Sequence, residues 1–292
     1  MKIYVYAFSL LSSFGGLRFC SSDGDIVNPT NVTVVEKWAS EPVLKTPESA
    51  LYDGFRRIIF VSNINGFHNN LRDGDGFISI LKPNGDVLKL DWVTGLNDPK
   101  GLAIRFDKLF VSDIDRLVEI DIKTGKITNE YAIGGAVFLN DVAVDAKGVV
   151  YVSDTGAGKI YQLKAGTISV FAEGADVVGP NGLLAEKDKL LMASAGTGDL
   201  RLIDYKTGDN TLVANVVANA DGLVKDPIKN YIISNWQGEV YYLFGSGEKI
   251  KILDTKEAGM NAADIGFMPE GNVLLVPTFF NNRVVAYQLK YE

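Results

Sequence analysis

From about residue 30 onward, short apolar runs alternate with clusters of Gly, Asn, Asp and charged residues. Runs this short, rich in Val, Ile, Tyr and Leu and bounded by turn residues, predict β-strands rather than helices. One composite pattern recurs six times. A polar residue opens an apolar strand, a charged or Gly-containing turn follows, and a second apolar strand ends in Ser or, once, Thr. The copies are opened by Glu48 (ESALYDGFRRIIFVSN), Lys100 (KGLAIRFDKLFVSD), Asn140 (NDVAVDAKGVVYVSD), Asn181 (NGLLAEKDKLLMAS), Asp221 (DGLVKDPIKNYIISN) and Asp264 (DIGFMPEGNVLLVPT). After a first interval of 52 residues, the openers recur every 40 to 43. Two more predicted strands lie between copies, as in LVEIDIKTGKITNEYAI and KIYQLKAGTISVFAE. Four strands per unit of roughly 40 residues is the period of a propeller blade. The chain is therefore predicted to be all-β, a six-bladed β-propeller. The last copy is one strand short, and NVTVVEKWA ahead of the first copy is left over. That segment is expected to supply the missing outer strand, closing the last blade and covering two open edges. A two-sheet sandwich or two small β-domains would need a break in the middle, but no Pro- or Ser-rich linker interrupts the period. Residues 30–292 are expected to form one domain.

Composition narrows the chemistry. The formal net charge of -7 argues against a phosphate-binding surface, so no nucleic-acid partner is expected. The single Cys excludes an internal disulfide and a Cys-rich metal centre, and the single His, His68, excludes a two-His metal site. Oxygen ligands remain. Residues 1–20 carry Lys2, an apolar stretch and then small residues, which reads as a secretory signal peptide and implies a secreted or periplasmic protein. Cys20 is a candidate lipid attachment point, although Leu17, Arg18 and Phe19 before it are not the small residues such a site needs. No stretch is long and apolar enough to predict a transmembrane span. The DGDG run at 73–76 begins like a calcium loop, but Asn84 stands where the final acidic ligand belongs, so a turn is expected. Asn31-Val32-Thr33 is a glycosylation acceptor only in a eukaryotic secretory route.

In a propeller the innermost strands surround a central channel, and equivalent positions at their starts form a ring. The ring predicted here is Glu48, Lys100, Asn140, Asn181, Asp221 and Asp264. Every member is polar and three are acidic. Asn and Asp are also turn formers, which accounts for Asn181-Gly182 and Asp221-Gly222 but poorly for Glu48 and Lys100. Carboxylates crowded in a channel repel one another, and a bound cation removes that penalty. Oxygen-only donors favour Ca²⁺, with Mg²⁺ second. The expected ligands are Glu48, Asn181 and Asp221, then Asn140. Lys100 is expected to face substrate or to pair with Asp264.

The stretches TPESALYD, FLNDVAVDAKGVVYVSD, GPNGLL, NADGL and NAADIGF resemble the SMP-30/gluconolactonase/LRE-like family of calcium-dependent propellers. More distantly they resemble the diisopropylfluorophosphatase and paraoxonase propellers. The resemblance implies a calcium ion held by Glu48, Asn140, Asn181 and Asp221. It also implies a metal-assisted hydrolase acting on a lactone or related ester, with phosphotriesters a further class. Asp221 is then the catalytic base or nucleophile, while Lys100, Asn140 and Asp264 contact substrate. The chain departs from the pattern in three places. Phe138 stands where sugar-lactone members carry Arg. Lys100 stands where paraoxonases carry His. Ser49 replaces an acidic residue that helps hold a second, structural calcium, although Asp141 matches that ion's other acidic partner. Trp236, Phe279 and Phe280 are candidate pocket walls, and His68 belongs to a long first-blade loop. Two alternatives stand beside the hydrolase. One is a non-catalytic, calcium-stabilised propeller that binds a ligand or partner protein. The other is a metal-free enzyme using a channel Glu, as in strictosidine-synthase-like propellers. A closed ring leaves no edge that must pair, so a monomer is expected.

Overall fold

The computed structural model describes residues 29–67 and 71–292. Residues 1–20 with Cys20, and His68, lie outside the described residues. The chain forms six four-stranded antiparallel sheets, the six-bladed propeller expected from the repeats. The inner strands are Pro47–Asp53, Pro99–Arg105, Leu139–Val144, Pro180–Ala185, Ala220–Lys225 and Gly266–Met268. Five blades are continuous in sequence. The sixth is completed by Val32–Ala39, which pairs antiparallel with Val284–Tyr291 from Val32 opposite Tyr291 to Ala39 opposite Val285. This is the closure anticipated for NVTVVEKWA. Among the described residues no helix is long and apolar enough to cross a membrane. Asp73–Gly76 makes a bend that leads into the strand Gly76–Leu81.

Burial follows position in the blade. Second strands such as Val150–Asp154 and Val273–Pro277 are buried throughout, because neighbouring blades cover both their faces. Outer strands such as Lys126–Ala132 are largely exposed. Apolar clusters fill the seams between adjacent blades. Between the first two, Phe60, Ile78 and Val93 pack with Leu102, Leu109 and Val111. Each such side chain contributes about 1.5–3 kcal/mol on burial.

The Ser near the end of the second strand in the first five blades has a structural role. Ser62 Oγ accepts the Ser49 amide at 3.0 Å, and Ser153 Oγ accepts the Asp141 amide at 2.9 Å. Ser112 Oγ donates to the Asn140 carbonyl of the next blade. Ser234 Oγ does both: it accepts the Gly222 amide and donates to the Ala263 carbonyl, each at 2.8 Å. The residue after the Ser holds the approach to the inner strand. Asp113 accepts the amides of Asn97 and Asp98, and Asp154 those of Val137 and Phe138. These buried hydroxyls and carboxylates satisfy backbone groups that the channel would otherwise leave unpaired.

Candidate active site

Each of the first five inner strands starts with one ladder pair and then skips two residues before pairing resumes. Pro47 faces Asn63 and pairing resumes at Ala50; the same break separates Pro99 from Leu102, Leu139 from Val142, Pro180 from Leu183 and Ala220 from Leu223. The first skipped residue is Glu48, Lys100, Asn140, Asn181 or Asp221. All five line one cavity of about 280 Å³ at the entrance of the channel. The second skipped residue is Ser49, Gly101, Asp141, Gly182 or Gly222, one layer deeper. The inner strands crowd together there. A Cβ on Gly182 would stand 2.2 Å from the Asp221 carbonyl oxygen, and one on Gly222 would stand 2.3 Å from the Ile265 nitrogen.

Asp264 belongs to the deeper layer, not to the ring in which the sequence reading set it. Its amide donates to the Glu48 carbonyl, and its carbonyl accepts the Ala50 amide, so its register partner is Ser49. The place equivalent to Asn140 is taken by Ala263, the carbonyl that Ser234 holds just as Ser112 holds that of Asn140. Asp264 therefore does not line the entrance cavity. Its Oδ2 accepts the Ser49 hydroxyl at 2.5 Å. It lines instead, with Ser49 and Asp141, the channel space that opens toward the opposite face. The expected Lys100–Asp264 pairing is replaced as well. Lys100 Nζ donates to the Asp98 carbonyl at 3.3 Å, lies 4.0 Å from Asp98 Oδ2 and sits 4.7 Å over the Phe138 ring.

The ring is nearly dry. Glu48, Asn140, Asn181 and Asp221 are each no more than 7% exposed, and Lys100 is 2% exposed. Asn181 Nδ2 donates to Asp221 Oδ1 at 3.0 Å and to the Ala220 carbonyl at 3.2 Å. Asn140 Nδ2 donates to Thr155 Oγ1 at 3.3 Å, and Thr155 in turn donates to the Pro180 carbonyl at 2.7 Å. Both amide nitrogens are thus tied down. Glu48 Oε2 and Asn181 Oδ1 are buried and accept no hydrogen bond. Leaving a buried acceptor unsatisfied costs about 1–3 kcal/mol, more for a charged group. Five buried side-chain atoms are orphaned among the described residues, and two of them are in this ring.

The charge pattern carries the same strain. Burial, then Asp221 and Asp264, push Glu48 well above the usual carboxylate range, against the pull of Lys100. Burial, then Asp264, push Asp221 up to about 8. Burial pushes Asp264 up to about 7 despite the Ser49 hydroxyl, and it lifts Asp141 strongly as well. Burial lowers Lys100, opposed first by Glu48. Four carboxyls are thus buried close together, while the buried Lys100 ammonium lies among Glu48, Asp98 and Asp113. Among the described residues no three imidazole, thiolate or carboxylate side chains converge as a metal cluster. The set here pairs two carboxylates with two amides. Orphaned, buried carboxylate and amide oxygens on residues that line one cavity fit a hard divalent cation with oxygen ligation. The deeper layer is different. Asp141 accepts the Val142 and Leu183 amides, both at 2.6 Å, and none of its oxygens is orphaned.

The walls of the cavity come from loops. Trp236 and Phe279 line it as expected, whereas Phe280 stands behind them, half exposed, 6.0 Å from Trp236 and 4.9 Å from Phe279. Phe279 adopts φ 48°, a left-handed conformation uncommon for a bulky residue, and its ring is buried. Ile64, Phe67, Thr155, Asn219 and Gln237 also line the cavity and were not singled out in the sequence. Thr155 carried a signal, since it follows the Ser-Asp end of a second strand. Ile64 and Asn219 carried none.

Fold and site together define a class: a closed six-bladed propeller with an acidic, amide-lined channel entrance. No protein-family model matches the sequence, and no curated protein matches it either. Solved structures match it in fold. A gluconolactonase from Xanthomonas campestris is 16% identical, with a TM-score of 0.65 over 90% of this chain and 91% of that one. A virginiamycin B lyase from Staphylococcus aureus is 12% identical, with a TM-score of 0.62 over 88% and 99%. A chain of a nidogen/laminin complex is 16% identical, with a TM-score of 0.62 over 76% and 84%. At such identities the likeness is one of fold, and one fold hosts unrelated functions.

Proposed function

We propose that this protein is a calcium-dependent hydrolase that opens a lactone, or cleaves a related ester, at the channel entrance. The observation that carries the reading is the pair of orphaned oxygens, Glu48 Oε2 and Asn181 Oδ1, beside the Asp221 carboxyl in one buried cavity. Glu48, Asn140, Asn181 and Asp221 would hold the ion. When bound, a divalent cation supplies Lewis-acid polarisation of the acyl oxygen. The chain supplies the rest. Asp221 takes a proton from the attacking water as its oxygen bonds to the acyl carbon. The acyl C–O bond breaks, and that proton ends on the leaving alkoxide oxygen. Lys100, held by Asp98, offers positive charge to the developing oxyanion. Thr155 fixes the Asn140 amide, so that its carbonyl side is left for ligation or substrate. The likeness in fold to a gluconolactonase supports the reaction class and leaves the substrate open.

The test is a hydrolysis screen over lactones, aryl esters and phosphotriesters, with calcium and with chelator, on the wild type and Asp221→Asn. Calcium-dependent turnover that Asp221→Asn abolishes supports the proposal. If no substrate is turned over although calcium raises the melting temperature, the propeller is a calcium-stabilised binding protein. If calcium changes neither activity nor melting temperature, the metal site itself is refuted.

A further inference from the structure

The entrance cavity has apolar walls above its polar floor. Ile64, Ala263 and Phe279 form an apolar cluster with Trp236, separate from the seam clusters of the blades. Trp236 meets Phe279 edge-on at 5.8 Å, and Phe280 stacks with Phe67 at 6.1 Å, so one side of the entrance is an aromatic shelf. Phe138 stands over Lys100 on the third-blade side. Of the polar groups near these walls, Thr155 is engaged with Pro180 and Asn140, and the side-chain amides of Asn219 and Gln237 are the ones left to meet a ligand. Among the described residues the cavity has one cationic side chain in its lining, Lys100, and it lies beneath an aromatic ring. Such a surface rewards apolar groups. A ligand bearing several hydroxyls would bury those that face Trp236, Phe138 and Phe279 without partners, at roughly 1–3 kcal/mol for each. The volume of about 280 Å³ lies just below the usual span of ligand cavities, about 300 to 1,000 Å³.

We infer that the substrate is a small hydrophobic lactone or ester with a short alkyl or aryl substituent, and that Phe138 and the Trp236–Phe279 shelf exclude polyhydroxylated sugar lactones. This rests on the hydrolase reading and goes beyond it in naming the substrate class. The reacting carbonyl lies over Asn140, Asn181 and Asp221, and the substituent lies between Phe138 and the shelf.

Two measurements keep the inference separate from the hydrolase reading. The first compares kcat/KM for an alkyl-substituted γ-lactone and for glucono-lactone, with calcium present. A preference of roughly 100-fold or more for the alkyl lactone is expected. Phe138→Gln should narrow that preference at least tenfold, mainly through KM for the alkyl lactone. Equal or faster turnover of glucono-lactone overturns the inference and leaves the hydrolase reading intact. The second measurement needs no turnover. An alkyl-substituted cyclic lactam, the non-hydrolysed analogue, is titrated while tryptophan fluorescence is followed, with Trp236→Phe as the control that removes the signal. Saturable quenching in the wild type supports the apolar cavity even if no lactone is hydrolysed, in which case only the hydrolase reading falls. Absence of quenching by the lactam, with Trp236 fluorescence otherwise intact, overturns the inference.

Discussion

Stripping the protein of divalent ions should make its stability fall as pH rises, the reverse of ordinary acid denaturation. In the unfolded chain Asp and Glu titrate near pH 4. In the metal-free folded chain Asp264 is held up to about 7 and Asp221 up to about 8, while Glu48 and Asp141 are also raised, by burial first in every case. Between about pH 5 and about pH 7 the folded state therefore holds more protons than the unfolded state, and the slope of unfolding free energy with pH is negative. If two carboxyls stay protonated only in the folded state, the loss is roughly 3 kcal/mol per pH unit. For a domain of this size that is a fall in melting temperature on the order of 5 °C per unit. Lys100, lowered by burial, acts with the opposite sign and toward the alkaline end. The assay is a melting curve at stepped pH in chelator and again in saturating calcium. With the ion present the ring carboxylates stay ionised in the folded state, so the slope should flatten or reverse. A metal-free melting temperature that holds level or climbs across the window would refute the picture of crowded, neutralised carboxyls.

Other substitutions test separate parts of the structure. Glu48→Gln should raise the melting temperature of the metal-free protein by removing one crowded carboxyl, yet abolish both its further rise on adding calcium and calcium-dependent hydrolysis; melting curves with and without the ion read both effects. Ser234→Ala leaves the Gly222 amide and the Ala263 carbonyl without their shared hydroxyl, and should cost roughly 2–4 kcal/mol in denaturant unfolding. Gly182→Ala drives a methyl group into the Asp221 carbonyl. It should depress calcium affinity, measured by calorimetry, more than tenfold, with a smaller loss of stability of about 1–3 kcal/mol.

The blades were legible because their strands obey a repeated local rule. Apolar runs, turns and a terminal Ser recur at a fixed period, and the unpaired NVTVVEKWA pointed to its partner by elimination. Five ring positions were legible for the same reason, since a polar residue opens each copy of the pattern. The sixth was not. Asp264-Ile265-Gly266 imitates the polar-plus-Gly opening of the other blades, but its register is set by the Ser234 hydroxyl and by pairing with Ser49, contacts between blades that no local pattern encodes. The same limit hid Asp98 as the partner of Lys100. The sequence suggested an acidic ring, but it could not disclose that Glu48 and Asn181 each bury an oxygen with nothing to accept, because that depends on where Thr155, Ala220 and Asp221 place the neighbouring amides. The walls were the least legible part. Ile64, Phe67 and Asn219 lie in loops of irregular length, and their convergence follows from ring closure rather than from any periodicity.

The pairing of Val32–Ala39 with Val284–Tyr291 also sets a timetable for biosynthesis. Val32–Ala39 cannot find its partner until all the residues up to Val284–Tyr291 have been translated. At about 5–20 residues per second that delay is roughly ten seconds to a minute. Through that interval a growing arc of blades carries a raw β-edge at each end, where a sister chain on the same message could pair by mistake. The final latch also brings blade one against blade six, so Glu48 meets Asp221 only after Val284–Tyr291 has been made. A nascent or prematurely stopped chain would therefore carry every blade motif it had reached and still lack the assembled entrance.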